Sequence, residues 1–504
     1  MDTTLRDGEQ TPNVSYTPSE KFQISQLLLR EVKVDRIEIA SAHVSEGESQ
    51  AVQRITTWAQ KTRLHDRIEI LGYVDGQRSV DWIAENGGGA VNLLTKGSRQ
   101  HCEKQLRITP ERHFKDISDT IRYARRRGLI VNVYLEDWSS GVRDSFEYVF
   151  GHVQNLAGLG VKRIYLPDTL GILSPDDTGR YVDLMTRTWP QLHFEFHAHN
   201  DYGVAAANCL VAVRHGARGV HTSVNGMGER AGNTRLAEVV AAIHDLSDCS
   251  TNVREERLVS LSEMVATFSG KPFPDNAPVV GRDVFTQTAG IHADGDSKAN
   301  LYANKLAPRR FGQRRRYALG KLSGKASLDQ NLRTLGIKLQ PKMRDLVLGR
   351  IVELGDKKHT VTPEDLPLII ADVLKTPQEE LVRIESYEIM SSSDAPPGAS
   401  LALRYRGKNV EARSGGDGGY DAFMRALAKA ARKHKLEVAT LLDYKVRIPP
   451  GGKSGALVET MITWRMPRKE PFTTRGVDSD QLVAAVMATE KMLNLVASWR
   501  TRRS

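Results

Sequence analysis

The chain has 504 residues, of which 40% are hydrophobic and 26% charged, and its formal net charge is +10. This length allows two or three domains with sizeable cores, and the composition is typical of a soluble globular protein. No apolar run approaches the ~20 residues of a membrane helix. The acidic residues in the opening MDTTLRDGEQ predict no signal or transit peptide.

Charge and cysteine content narrow the compartment and the partners. Cys102, Cys209 and Cys249 lack metal-site spacing and are too few for a disulfide framework, so we expect a cytoplasmic protein. The positive charge suits either nucleic acid or anionic substrates. Without zinc-finger spacing or interleaved aromatic and basic residues, we expect no nucleic-acid partner, and no membrane partner either. The basic clusters at residues 309–316 and 500–504 are interpreted as solvated surface.

From residue 1 to about 245, short strand-like runs alternate with amphipathic helical stretches. The eight strand candidates are MDTT (1–4), DRIEIA (35–40), RIEILGYV (67–74), AVNLLT (90–95), LIVNVYLED (129–137), RIYLPDT (163–169), HFEFHAHN (193–200) and GVHTSVNG (219–226). Eight βα units of this length predict an α/β fold, a closed parallel (β/α)8 or TIM barrel. A doubly wound open sheet is the alternative, but no GxGxxG follows the first strand.

The remaining sequence changes character twice. Residues 246–330 are rich in Gly, Pro and Arg and are interpreted as a connector, and residues 331–375 contain helical stretches. From about residue 380, strands and helices alternate as in an α+β domain with antiparallel strands. We therefore divide the chain into a barrel (1–258), connecting subdomains (259–378) and a C-terminal domain (379–504). The turns SGGDGGYD (414–421) and PPGGKSGA (449–456) suit either hairpin geometry or a small zwitterionic ligand.

Two histidines in the seventh predicted strand indicate a candidate functional site. Residues i and i+2 of a strand face the same side, so His197 and His199 share a face at the carboxyl end of the strand. Barrel enzymes carry out their reactions at that end. The pair indicates either a divalent metal or two buried histidines that are hydrogen-bonded to neighbours.

Other strands end in polar residues that would lie at the same barrel mouth. These are Arg6 and Asp7, Tyr134 and Glu136, Asp168 and Thr169, and Asn225, Glu229 and Asn233. Asp7, His197 and His199 form a mixed nitrogen and oxygen donor set that leaves coordination positions open. Such a set suits a catalytic ion that binds an oxygen-rich substrate, and the composition excludes an all-cysteine zinc site.

Three motifs, DTTLRDGEQ, HAHNDYG and NGMGERAGNT, occur in an order that resembles the metal-dependent barrel family of 2-isopropylmalate, citramalate and homocitrate synthases. Lyases such as hydroxymethylglutaryl-CoA lyase are related to this family. GRDVFTQTAGIHADG and NLYANKLAPRRFG resemble the connecting region of the synthases, and the tail from about residue 380 resembles their effector-binding domain. VYLEDWSSG, RYALGKLSGKAS and GDGGYDAF favour the citramalate synthase branch.

The resemblance implies a reaction and roles for individual residues. A 2-oxo acid would bind a divalent metal (Mn²⁺, Mg²⁺ or Zn²⁺), the deprotonated methyl of acetyl-CoA would attack its keto carbon, and the thioester would be hydrolysed. The metal ligands would be Asp7, His197, His199 and Asn233. Arg6 would stabilise the developing alkoxide and Thr169 would bind the substrate carboxylate. Glu136, His292 and Tyr302 would serve proton transfer, with His292 and Tyr302 acting in trans in a homodimer.

The resemblance also suggests which 2-oxo acid the active site would accept and which effector the C-terminal domain would bind. Leu71, Leu94 and Tyr134 would fill space that is more open in isopropylmalate synthases, which favours pyruvate over 2-oxoisovalerate and makes isopropylmalate synthase the second choice. In the tail, Tyr420, Asp421 and Tyr444 would bind a branched-chain amino acid effector. Leucine-regulated synthases carry GPVDA where this chain has GGYDAF, a difference that suits isoleucine better than leucine.

Three other classes remain as alternatives. A hydroxymethylglutaryl-CoA lyase would have a cysteine in the loop after the eighth strand, whereas NGMGERAGNT has none and Cys209 lies in the preceding helix. A non-enzymatic barrel would be indicated by loss of Arg6, Asp7 or His197, and all three are present. A nucleic-acid binder would show a salt-dependent shift of DNA in a gel.

Overall fold

The computed structural model describes residues 1–356, 361–374, 381–447, 458–467 and 471–501. These residues form two compact units, one of Met1–Phe285 with Ala303–Arg315 and the other of Thr286–Tyr302 with Arg316–Ser504. The functional division of the chain at residues 258 and 378 stays a prediction.

The first unit is a curled parallel sheet surrounded by helices, which confirms the predicted α/β barrel class. The strands, hydrogen-bonded in chain order, are β1 (Ile37–Ser41), β2 (Ile68–Tyr73), β3 (Ala90–Lys96), β4 (Ile130–Glu136), β5 (Arg163–Asp168), β6 (Phe194–Ala198) and β7 (Gly219–His221). The helices are α1 (Pro18–Gln26, continued by a π-helical segment over Leu27–Val32), α2 (Glu46–Lys61), α3 (Arg78–Glu85), α4 (Pro110–Arg126), α5 (Trp138–Asp144), α6 (Phe146–Ala157), α7 (Pro175–Thr188), α8 (Ala205–Arg214), α9 (Leu236–Leu246) and α10 (Leu258–Ser269).

The predicted first strand at residues 1–4 is wrong as a strand, although the segment lies where that strand was expected. Asp2 forms parallel bridges to both Ile37 and Thr222, so it joins the two edges of the sheet. Its amide donates to the Arg36 carbonyl (2.9 Å), and the Thr3 amide donates to the Thr222 carbonyl (2.8 Å). Strand geometry ends there because the Gly8 amide turns back to the Thr3 carbonyl (3.0 Å). This early turn brings the next residues over the carboxyl end of the sheet.

Near the amino ends of the strands, the barrel interior is filled by charged side chains that pair with one another. The Arg36 guanidinium donates to Glu69 (2.6 Å) and to both oxygens of Glu195 (2.5 Å), and the Tyr165 hydroxyl donates to Glu69 (2.7 Å). Burial by itself would raise the pKa of Glu195, but the charge of Arg36 together with hydrogen bonds from two neighbouring histidines outweighs burial and holds this pKa well below its usual range. Buried charges of this kind are tolerated only when they are paired and hydrogen-bonded.

The second unit contains helices followed by two antiparallel sheets, which confirms the predicted antiparallel α+β character of the tail. Its elements are β8 (Thr286–Gln287), α11 (Gly290–Ala299), β9 (Arg316–Tyr317), α12 (Lys325–Leu335), α13 (Pro341–Asp356), α14 (Leu366–Leu374), β10 (Val382–Met390), β11 (Gly398–Tyr405), β12 (Lys408–Gly415), α15 (Gly419–Lys433), β13 (Thr440–Arg447), β14 (Val458–Arg465), β15 (Phe472–Asp478) and α16 (Gln481–Thr501). Helix α15 packs on β11 and β12, and α16 packs on β14 and β15.

Within the described ranges, one helix is long and apolar enough to cross a membrane by length and composition alone. It is the stretch Gln481–Trp499 of α16, with a mean hydropathy of 1.2, and 56% of that window is buried inside the protein. Ala484, Ala485, Ala488 and Leu493 are fully buried along it. The helix therefore behaves as a core helix of its domain.

The charged barrel interior generates a stability prediction. Arg36→Met should lower the free energy of unfolding by about 3–5 kcal/mol, because Glu69 and Glu195 would lose their main cationic partner while remaining buried. Arg187→Met is the matched control, since Arg187 forms an exposed pair with Asp183 and should cost less than about 0.5 kcal/mol. Urea unfolding of the three proteins tests this, and equal midpoints would contradict it.

Candidate active site

The loop that carries Arg6 and Asp7 is anchored by a buried lysine. The Lys21 ammonium, on α1, donates to the Leu5 carbonyl (3.0 Å) and to the Ile39 carbonyl (3.3 Å). It also pairs with Glu9 (2.6 Å) and Glu48. One buried cation thus joins the loop, the first strand and two helices, so the loop position is set by charge pairing.

Arg6 lies across the mouth of the barrel and is held by a carboxylate of the first strand. Its Nε donates to Glu38 (2.5 Å), its Nη1 lies 3.4 Å from Asp7, and its Nη2 donates to the Tyr134 hydroxyl (3.4 Å). Glu38 also accepts a hydrogen bond from Asn92 (2.7 Å). The guanidinium is therefore fixed in one orientation beside Asp7.

Asp7, His197 and His199 come together as a buried group whose donor atoms all lie within 4.8 Å of one another. His197 Nε2 lies 3.2 Å from Asp7 Oδ2, and the two imidazole rings are 5.2 Å apart. The Nδ1 atoms of His197 and His199 and the Oδ1 atom of Asn233 are buried without a hydrogen-bond partner. The Asn233 amide nitrogen donates to the Met227 carbonyl (3.0 Å), which leaves its oxygen available. This donor set, with unsatisfied buried atoms, fits a divalent cation.

The protonation states suit ligands of a cation. Burial alone would raise the pKa of Asp7, but the charge of Arg6 and the hydrogen bond from His197 outweigh it and place this pKa below its usual range. Burial, followed by the charge of His197, lowers the pKa of His199 to about 4. Asp7 is therefore an anion and His199 is neutral near pH 7, and these are the forms that bind metals.

An apolar wall adjoins the histidines. Leu71, Tyr134 and Tyr165 form a small buried cluster against which Leu94 packs. The Tyr134 ring lies 6.1 Å from the His197 ring and 4.6 Å from the Tyr165 ring. The three residues proposed from sequence as the wall are thus neighbours in space, while their role in selectivity stays a prediction.

Other residues predicted at the mouth make local contacts. Thr169 Oγ1 accepts a hydrogen bond from the Asp137 amide (2.9 Å), and Glu136 forms an ion pair with Lys96. The Asp168 carboxylate accepts from the Ile172 and Leu173 amides (2.9 and 3.0 Å), so it shapes its own loop. The Asn225 amide donates to the Ser262 carbonyl (2.9 Å), and Glu229 is exposed.

His292 and Tyr302 belong to the second unit. His292 lies in the first turn of α11, Tyr302 follows the end of that helix, and their rings are 4.2 Å apart. The Tyr302 amide donates to Asp296 (3.2 Å). The structure therefore pairs the two residues with each other. Their proposed part in proton transfer stays a prediction.

The residues proposed for the effector lie in the C-terminal domain. The Tyr420 and Tyr444 rings are 5.1 Å apart, and the Tyr420 hydroxyl is 2.6 Å from Thr489 Oγ1. The Asp421 carboxylate accepts from the Asp417 amide (2.9 Å) and pairs with Arg425 (2.8 Å). The turn PPGGKSGA at residues 449–456 lies outside the described residues.

Sequence reasoning missed several polar residues around the site. Glu38, Lys96 and His221 were not singled out, yet they contact Arg6, Glu136 and Tyr134 respectively. Burial lowers the pKa of His221 well below its usual range. A signal for Glu38 was available, because it stands in the run RIEIA, where a charge between β-branched residues of a buried strand requires a partner.

Comparison with known proteins gives matches over most of the chain. Residues 1–265 match the HMGL-like family model, residues 279–359 the model "Homocitrate synthase post-HMGL domain-like", and residues 360–497 the model "LeuA allosteric (dimerisation) domain". These three segments follow one another in the order barrel, connecting region and tail.

Full-length relatives are also found in archaea. The chain is 33% identical to the (R)-citramalate synthase of Methanocaldococcus jannaschii, covering 98% of this chain and 99% of the relative. It is 30% identical to the 2-isopropylmalate synthase of the same organism, with 100% and 95% covered. A probable 2-isopropylmalate synthase of Methanopyrus kandleri is 34% identical, with 99% and 98% covered.

The donor set generates a prediction about metal binding. Asp7→Ala and His199→Ala should each weaken binding of Mn²⁺ by more than about 100-fold while the circular dichroism spectrum is retained, because each removes a ligand from a site with few donors. His215→Ala, at a half-exposed histidine beside Asp183, is the control and should bind as the parent does. Calorimetric titration of chelator-treated protein measures the affinity, and unchanged binding in both variants would refute the assignment.

Proposed function

This chain belongs to the HMGL-like family, and we propose that it is an acyltransferase of isoleucine biosynthesis that condenses acetyl-CoA with pyruvate and hydrolyses the thioester, which releases (R)-citramalate and free CoA. The single observation that carries the proposal is the buried group of Asp7, His197 and His199 beside a fixed Arg6 and an apolar wall. The relatives named as citramalate and 2-isopropylmalate synthases support this reaction class. 2-Isopropylmalate synthase is the second candidate, because relatives of both names align over the full chain.

The residues at the mouth fit the steps of a condensation. Asp7, His197, His199 and Asn233 would hold a divalent metal, with Mn²⁺, Mg²⁺ and Zn²⁺ as candidates, and the metal supplies a Lewis acid for the keto group. The Arg6 guanidinium, held by Glu38, faces the same space and can donate to the oxygen that becomes an alkoxide. Charge stabilisation by a preoriented donor is effective because no reorientation is needed during the reaction.

We assign the proton transfers to Glu136, His292 and Tyr302. Deprotonation of a thioester methyl requires a base near the carbon, and Glu136 at the end of β4 is oriented by its ion pair with Lys96. The rings of His292 and Tyr302 lie 4.2 Å apart in the second unit, and we propose that the two residues act together in trans within a homodimer. Thr169 completes the site as a hydrogen-bond donor to the substrate carboxylate.

The choice of pyruvate rests on the apolar wall. Leu71, Leu94 and Tyr134 pack together next to the histidines, and Tyr134 is held on several sides. A rigid wall discriminates against a branched acid through overpacking, which costs more than an imperfect fit in a roomy pocket. A lyase of the same superfamily is less favoured, because the loop at residues 225–234 has no cysteine.

The substrate assignment predicts a selectivity. In a thiol-release assay with acetyl-CoA and a panel of 2-oxo acids, kcat/KM for pyruvate should exceed that for 2-oxoisovalerate by at least about tenfold. Tyr134→Ala should narrow the ratio by opening the wall, whereas Tyr181→Ala, on the outer helix α7, should leave it unchanged. A preference of the unmutated enzyme for 2-oxoisovalerate would favour isopropylmalate synthase. No thiol release with any acid would overturn the reaction class.

The C-terminal domain fits a regulatory role. Its match to an allosteric dimerisation domain and its two facing tyrosines, Tyr420 and Tyr444, support feedback by a branched-chain amino acid. We propose isoleucine ahead of leucine, with Asp421 as a further contact. The three cysteines are free thiols in the structure, which accords with our proposal of a cytoplasmic enzyme.

The regulatory assignment predicts that inhibition by isoleucine can be weakened without a change in kcat. Tyr444→Ala should raise the isoleucine concentration for half-inhibition by about tenfold and leave kcat unchanged, because the residue lies in the C-terminal domain and loses only an effector contact. Met390→Ala, an exposed position of the same domain, is the control. If neither isoleucine nor leucine inhibits the unmutated enzyme at millimolar levels, the assignment is wrong.

A further inference from the structure

The wall residue Tyr134 is enclosed by other aromatic rings inside the barrel. Its ring is 4.6 Å from Tyr165, 5.5 Å from His221 and 6.1 Å from His197. The Tyr165 ring in turn lies 4.4 Å from His221. His221 therefore supports Tyr134 from the side of the barrel interior.

A hydrogen bond between His221 and the Tyr134 hydroxyl also orients the tyrosine side chain. The Tyr134 hydroxyl lies 3.1 Å from His221 Nδ1, and His221 Nε2 lies 3.1 Å from Glu195 Oε2. The Glu195 carboxylate, which receives Arg36, can only accept a hydrogen bond. His221 must therefore carry its proton on Nε2, and in the neutral ring Nδ1 is left as an acceptor for the tyrosine hydroxyl.

The same tautomer of His221 also determines which hydrogen bond the Tyr134 oxygen can accept. When the Tyr134 proton points to His221, its oxygen lone pairs remain for the Arg6 Nη2 donor at 3.4 Å. Glu38 Oε2, at 3.4 Å, is a second acceptor for the hydroxyl proton, but the 3.1 Å contact to His221 Nδ1 is the shorter of the two. A chain of hydrogen bonds thus runs from Glu195 through His221 and Tyr134 to Arg6.

We propose that His221 is a specificity-determining residue that positions Tyr134 as the rigid wall of the 2-oxo acid pocket. His221 touches neither substrate nor metal in this assignment, and it acts through the tyrosine hydroxyl. The proposal rests on the proposed function, because the pocket must be one that selects among 2-oxo acids.

A double-mutant cycle tests the proposal. The ratio of kcat/KM for pyruvate to that for 2-oxobutyrate, which has one more methylene, is measured for His221→Phe, Tyr134→Phe and the double variant. His221→Phe keeps an aromatic ring and removes the acceptor, so the ratio should fall by about tenfold. Tyr134→Phe should lower the ratio at least as much, because it also removes the contacts of the hydroxyl to Arg6 and Glu38. The double variant should fall no further than Tyr134→Phe, because the bond between His221 and Tyr134 is already absent there.

Two further variants separate positioning from general damage. His221→Asn, whose amide oxygen can accept from Tyr134, should retain most of the selectivity, and it keeps the test available if the phenylalanine variant does not fold. His152→Phe replaces an equally buried histidine on α6 and should leave the ratio unchanged. Mn²⁺ affinity, measured by titration, should be the same in all of these proteins.

The outcomes separate a failure of the role proposed for His221 from a failure of the proposed acyltransferase activity. Additive losses in the double variant would overturn the inference, because His221 would then act independently of the tyrosine hydroxyl. Loss of Mn²⁺ binding in both His221 variants would also overturn it, since His221 would then act on His197. If the unmutated enzyme releases no thiol with any 2-oxo acid, the proposed function itself has failed.

Discussion

The ion pair between Arg6 and Glu38 is the interaction on which the rest of the site depends. Glu38 projects from the first strand into the barrel, accepts from Arg6 at 2.5 Å, and leaves the other guanidinium nitrogens toward Asp7 and Tyr134. Without that carboxylate the guanidinium would have no fixed orientation, and the cation that keeps Asp7 ionised would move. The proposed substrate stabilisation and the proposed metal binding would thus depend on one buried pair.

The ligand loop is positioned by a sharp turn and a buried cation. Only Met1–Thr3 is extended, and it joins the two edges of the sheet before the chain turns at Thr4. Lys21 then binds the carbonyls of Leu5 and Ile39, which directly precede Arg6 and follow Glu38. The loop is not a regular strand and so lacks ladder hydrogen bonds. The Lys21 ammonium instead donates charge-assisted hydrogen bonds to the loop backbone and to the first strand.

Local rules predicted much of the fold and site, and long-range pairing accounts for most of what they missed. The period of two in a strand placed His197 and His199 on one face, and Asp7 at a strand end joined them. Arg36 reaches Glu69 and Glu195, which are 33 and 159 residues away, so no local pattern could pair them. Residues 1–4 failed as a strand because the local turn from Gly8 back to Thr3 ends the extended segment after its first contacts with the two sheet edges.

The polar barrel interior couples the two ends of the sheet. In most barrels the amino end contributes stability and the carboxyl end contributes chemistry. Here Glu195, bound to Arg36 near the amino end, connects through His221 to Tyr134 and Arg6 at the mouth. An apolar core would be at least as stable, since buried ion pairs recover little more than their desolvation cost. What the paired charges provide is a defined direction for each hydrogen bond, and that direction orients Tyr134 beside the residues that we propose as metal ligands.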